Sequence, residues 1–164
     1  MRKLTLAAFL SLVPIASSAT PLSSALPGAE IRGQASLRYL GVKIYDAKLF
    51  TKGGSALDWS QDFALELTYK RNLSQYDLVE ATLREMSRMG NAMPIRTQLE
   101  TCYQAVAPGD RYLAISSGPD QLRFWRNDRA ACTLSQKGIK TKFMEIFLGD
   151  NSRSRRFSRA LLGQ

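Results

Sequence analysis

The apolar residues change period three times along the chain, and the order of those changes constrains the fold more than any single motif does. From Ser36 to Phe50 the run SLRYLGVKIYDAKLF carries Leu37, Tyr39, Val42, Ile44 and Leu49 in a two-residue alternation that slips at Gly41, as an extended strand with a bulge or bend would. Phe63, Leu65 and Leu67 alternate with Ala64, Glu66 and Thr68, which predicts a half-buried strand over 62–70. At Ser74 the period lengthens. Ser74 and Asp77 read as a capping box with Asp in the usual Glu place, and Leu73 and Leu78 stand at the staple positions. Val79, Leu83 and Met86 then share one helix face until Gly90 ends the run. Pro94 opens a second helix whose stripe is Ile95, Leu99, Cys102 and Val106, closed by Pro108-Gly109-Asp110. Alternation returns over 111–117, 121–126 and 129–135, with Asn127-Asp128 as a hairpin turn. Helical spacing closes the chain at Ile139, Phe143, Ile146 and Phe147, then at Phe157, Leu161 and Leu162. Strands, helices, strands, helices, with no internal repeat, specify an α+β fold in which helices pack on an antiparallel sheet.

The first residues read as an address rather than as part of that fold. Arg2 and Lys3 form a basic start, Leu4 to Ala16 is mostly apolar, and Ser17-Ser18-Ala19 supplies small residues for cleavage. Pro14 interrupts the apolar stretch, which is shorter than the roughly 20 residues a membrane span needs. No Cys follows the small residues, as a lipoprotein would require. The expectation is a signal peptide over 1–19, a flexible start over 20–27, a domain over 28–164, and a periplasmic destination. In that oxidising compartment Cys102 and Cys132, the only two cysteines, are expected to form a disulfide.

Composition restricts the chemistry further. The 164-residue chain contains no histidine, which removes the Ser-His-Asp triad, the Cys-His dyad, histidine-ligated zinc and a histidine general base. Two cysteines are too few for a four-cysteine metal site. The acidic residues show no catalytic pairing, and no glycine-rich loop could cradle a phosphate. No cofactor, metal or nucleotide is expected. The formal charge is +9, but nucleic acid is not an expected partner for an exported protein. Between Lys137 and Gln164 seven Lys or Arg face two acidic residues, with Arg153, Arg155, Arg156 and Arg159 crowded together. Such a patch suits an anionic membrane surface, and it equally suits a solvated helix face that aids solubility.

The segment from Gly33-Gln34-Ala35 through Leu37-Arg38-Tyr39-Leu40-Gly41-Val42-Lys43-Ile44-Tyr45-Asp46-Ala47-Lys48-Leu49 resembles the first long strand of bacterial chalcone isomerase-like proteins. The turn Gly109-Asp110-Arg111, the stretch Phe143 to Gly149 and the later Leu161-Leu162-Gly163 extend the resemblance over roughly residues 28–163. It implies an open-faced β-sandwich, one large antiparallel sheet covered on one face by a layer of helices. The family holds isomerases that close a flavanone ring and non-catalytic proteins that bind fatty acids. In both, an arginine near the first strand holds an oxyanion or a carboxylate, and the enzymes add a strand threonine and a tyrosine. With Tyr45 aligned to the family's strand tyrosine, the threonine position falls at Leu40, which cannot donate a hydrogen bond. The leading expectation is therefore a non-catalytic binding protein for a small apolar ligand with an acidic or polar head, such as a fatty acid. The alternatives are an intramolecular lyase acting on a phenolic enone, or an interaction module at the membrane surface.

Arg38 is the first candidate for the head-group contact, because a guanidinium can clamp a carboxylate through two parallel hydrogen bonds. Arg32 is the alternative. Tyr39 and Tyr45 flank Arg38 and could add hydroxyl contacts. Met86 and Met93 are the candidates for an adaptable apolar lining. Each also has an ordinary reading: Arg38 on the solvent side of a strand, Tyr45 and the methionines as core filling.

Overall fold

A computed structural model describes residues 20–164 of the chain; the expected signal peptide over 1–19 lies outside the described residues. The elements run α1 (Pro21–Ala25), β1 (Ala29–Tyr39), β2 (Val42–Lys52), β3 (Ala64–Tyr69), α2 (Gln75–Arg88), α3 (Arg96–Cys102), β4 (Arg111–Ser116), β5 (Gln121–Arg126), β6 (Arg129–Ser135), α4 (Ile139–Leu148) and α5 (Arg155–Leu161). The six strands form one antiparallel sheet in sequence order, β1 to β6. Its alternation sorts two faces. Leu49, Leu65, Leu67, Tyr69 and Phe124 face helices α2 to α5 and share a core with Val79, Met86, Leu99, Phe143 and Phe147. Among the described residues the opposite face is covered only at one end, where Leu22, Ala25 and Leu26 pack on Phe50, Ala64, Leu113 and Ile115. Elsewhere that face carries the ion-pair chain Lys48–Glu66–Arg111–Asp128, whose Lys48, Arg111 and Asp128 side chains are solvent-exposed while Glu66 is mostly covered; its exposed Arg111–Asp128 pair adds little stability in water.

Several expectations change in detail. The 36–50 run is two strands, and Gly41 is not a bulge. Leu40 and Gly41 have φ of 48° and 79°, the two-residue turn whose twist matches a hairpin. The irregularities in β1 fall instead between Ile31 and Gly33 and between Leu37 and Arg38. The segment 20–27, expected as a flexible start, holds the helix α1, with Thr20 as its cap accepting from the Ser23 amide. Apolar Leu22 and Leu26, four apart, give this short helix a reason to lie on the sheet. Pro94 stands before the N-cap Ile95 rather than inside α3. Val106 lies beyond that helix and pairs with Leu73 in an isolated bridge. The capping box at α2 is present as expected, with both the Ser74 and Asp77 side chains engaged. Cys102 of α3 and Cys132 of β6 are joined by a disulfide, their Cα atoms 5.1 Å apart.

Candidate functional site

Arg32 sits where the sheet edge meets the end of the helical layer. The register of β1 against β2 shifts between Ile31 and Gly33, so the strand bends at Arg32 and re-aims its side chain. The side chain is half-buried. Its Nε–H donates to the Leu162 carbonyl at 2.8 Å. Gly163, with φ of +69°, brings the backbone so close that a Cβ there would lie 3.0 Å from Arg32 Nε. The guanidinium is therefore gripped along one edge, and among the described residues its terminal nitrogens have no hydrogen-bond partner. Beside it lies a cleft of about 380 Å³, with Leu57, Trp59, Leu148 and Leu162 as apolar lining and Thr141, Glu145 and Asp150 among its polar groups. Trp59 is braced edge-on by Phe63 at 5.4 Å. Glu145 accepts a hydrogen bond from Asn91 at 2.6 Å. A cleft of this size, with a fixed cation and a lining that is part apolar and part polar, can hold a small amphiphile by its head.

The space between sheet and helices is filled by tyrosines rather than open. Tyr45 meets Tyr69, Phe147 and Phe157 edge to face, and Tyr112 meets both Tyr69 and Tyr103. Burial pushes the Tyr103 hydroxyl up to about 12, against a smaller opposing effect of its hydrogen bond with Thr82. Burial also raises Tyr45, with the nearby Glu85 carboxylate adding to it, and raises Tyr69 well above the ordinary tyrosine value. All stay protonated near neutral pH, so none can serve as a phenolate base there.

The structure disperses the other residues singled out from the sequence. Arg38 is exposed beside the hairpin turn and donates to the Gly41 carbonyl at 3.2 Å; no described cleft includes it. Tyr39 is exposed beside it, whereas Tyr45 packs into the aromatic core. Met86 is wholly buried in the core. Met93 lines a different cleft, of about 450 Å³, with Pro94, Gln136, Lys137 and Lys142, so the two methionines line no common space. Arg153 pairs with Glu85, and Arg155, Arg156 and Arg159 are exposed on α5. Among the described residues no cluster of three or more acidic or cysteine side chains could hold a metal. Leu57, Trp59 and Leu148 had no signal in the sequence, because they come from a loop and a helix end that only folding brings beside Arg32.

Against solved structures, the six-stranded sheet and its helices match the Arabidopsis thaliana fatty-acid binding protein AtFAP1, with a TM-score of 0.65 over 84% of this chain and 88% of that one, at 7% identity. The fold is chalcone isomerase-like. No protein-family model matches the sequence, and no curated protein matches it. On this chalcone isomerase-like sheet the residue aligned with the enzymes' threonine, Leu40, stands in a solvent-facing turn with its side chain 87% exposed. Leu40, where the resemblance places the enzymes' strand threonine, stands in a turn rather than in a strand, and it faces no cleft among the described residues.

Proposed function

We propose that the protein is an exported, non-catalytic carrier of a small amphiphile with an anionic head, a fatty acid being the simplest example, and that Arg32 rather than Arg38 receives the head. The observation that carries this reading is the gripped, half-buried guanidinium of Arg32 beside a cleft whose mixed lining pairs Leu57, Trp59, Leu148 and Leu162 with Thr141, Glu145 and Asp150. The fatty-acid binding named for AtFAP1, which shares the fold, supports it. Holding one edge of the guanidinium in advance lowers the ordering cost of binding, so more of each head-group hydrogen bond appears as affinity.

Calorimetry on delipidated protein, with a fatty acid and the alcohol of equal chain length, tests the reading. A charge-assisted hydrogen bond contributes roughly 1.5–3 kcal/mol, so Arg32→Ala is expected to weaken the acid by about 10- to 150-fold and to leave the alcohol much less affected. Arg38→Ala is expected to change neither. Glu145→Gln removes a like charge from the cleft, so it strengthens the acid and not the alcohol. Equal losses of acid and alcohol in Arg32→Ala would remove Arg32 from the head-group role, and no binding of either by the wild type would end the carrier reading.

A further inference from the structure

We propose that the β1–β2 hairpin is a membrane-docking tip, which places Leu40 into the surface of a bilayer that carries anionic head groups. Leu40 occupies the left-handed region with φ of 48°. That conformation suits Asn, Asp and Gly, and is unfavourable for a residue with a branched apolar side chain. The same sheet shows the ordinary solution at its other two-residue turn, where Asn127 and Asp128 hold φ of 48° and 66°. Nothing within the fold offsets the strain at Leu40, because its side chain is 87% exposed. Strain retained at an exposed apolar residue points to a role outside the fold.

The neighbours fit a lipid surface. Tyr39 and Val42 face each other across the turn and are 57% and 37% exposed, which makes the tip a convex apolar point with a tyrosine at its shoulder. Tyrosine is enriched at head-group depth, and apolar side chains reach the acyl boundary below it. Cations lie toward this end of the sheet. Arg38 is next to the tip, tethered to the Gly41 carbonyl. Helix α5 adds two more. Its Phe157 ring lies on Tyr45, which pairs with Leu37, while the carbonyls of Ala160 and Leu161 lie over Gly33. The helix therefore runs along β1 with its first turn, carrying Arg155 and Arg156, toward the hairpin. Both are exposed, and neither has an ion-pair partner among the described residues. Guanidinium groups on the same end of the sheet as an apolar point complement phosphate head groups above an acyl layer. The tip lies at the opposite end of β1 from Arg32, so this proposal does not depend on what the cleft holds.

Flotation of the exported protein, freed of the expected signal peptide over 1–19, with vesicles of phosphatidylglycerol and phosphatidylcholine, and with phosphatidylcholine alone, tests it. The wild type should bind the anionic vesicles and not the neutral ones. Leu40→Asn should raise the thermal unfolding midpoint, because Asn tolerates the turn, and should lower anionic-vesicle affinity about tenfold through lost apolar burial. Arg155→Glu with Arg156→Glu should weaken binding further at low salt. The tryptophan of a Leu40→Trp variant should shift its emission to the blue when anionic vesicles are added. Absence of wild-type binding, equal binding by Leu40→Asn, or an unmoved Leu40→Trp emission would each overturn the proposal.

Discussion

Gly33 shows how one missing methyl group positions the candidate site. Its backbone is not in the left-handed region, so any residue could adopt its conformation; what it lacks is room. A Cβ there would stand 2.3 Å from the Leu161 carbonyl oxygen and 2.4 Å from that of Ala160. Both obstacles are backbone atoms and cannot rotate away. Gly33→Ala must push the end of α5 off the sheet edge, at a cost of about 1–3 kcal/mol for overpacking. The same shift withdraws the Leu162 carbonyl that holds Arg32. Chemical denaturation is expected to show the lost stability, and fatty-acid affinity should fall with it. A Gly33→Ala protein as stable as the wild type would show that α5 does not need this close approach.

At the scale of elements, the weak parts are those that the disulfide and its neighbours tie down. Helix α3 has seven residues and no side-chain hydrogen bond at its N-cap, too short to persist alone. Strand β6 is an edge of the sheet. The Cys102–Cys132 bond joins the two, and Gln98 adds hydrogen bonds to the Ser135 amide and carbonyl at 2.9 and 3.3 Å. A loop of this length closed by a disulfide stabilises a fold by roughly 3–4 kcal/mol in the chain-entropy account. Reduction is expected to lower the unfolding midpoint and to raise amide hydrogen exchange in α3 and β6 before β2 and β3. Protein from an oxidising host should resist alkylation until it is reduced. Two thiols alkylated without reduction would contradict the bond.

For the whole molecule, the tyrosine layer between sheet and helices sets the alkaline limit of stability. Tyr45, Tyr69 and Tyr103 have hydroxyl groups raised by burial above the ordinary value of 10.0. In the unfolded chain they ionise near that value; in the fold they hold their protons to higher pH. Their contribution is therefore fully present below pH 10 and is lost as pH rises toward and beyond about 12, where Tyr103 ionises in the fold. Unfolding followed against pH should show stability falling above pH 10, with the ultraviolet signal of tyrosine ionisation arriving in step with loss of structure. Replacing Tyr69 by Phe keeps the ring and removes one ionisable group, so the fall should become shallower. Tyrosine ionisation completed while the fold stays intact would exclude this account.

How much of this was legible before folding follows from the range of the interactions involved. The strands at 62–70, 111–117, 121–126 and 129–135, the capped start of α2 at Ser74, and the order that makes an α+β fold are written in local spacing, because apolar period and capping act within a few residues. The division of the 36–50 run at Leu40-Gly41 was masked by the same local logic, since an apolar leucine stands where a turn normally carries Asn or Asp. Helix α1 is not legible in local spacing, because its few apolar residues have meaning only against a sheet face built by strands far along the chain. The choice between Arg38 and Arg32 is of the same kind. Both lie near the first strand and carry the same charge. One ends beside a solvent-facing turn, and the other is gripped by Leu162, 130 residues away. Local pattern determined which elements form. Only their tertiary packing decided which arginine faces a cleft, because a cleft is made by surfaces that meet across long stretches of chain.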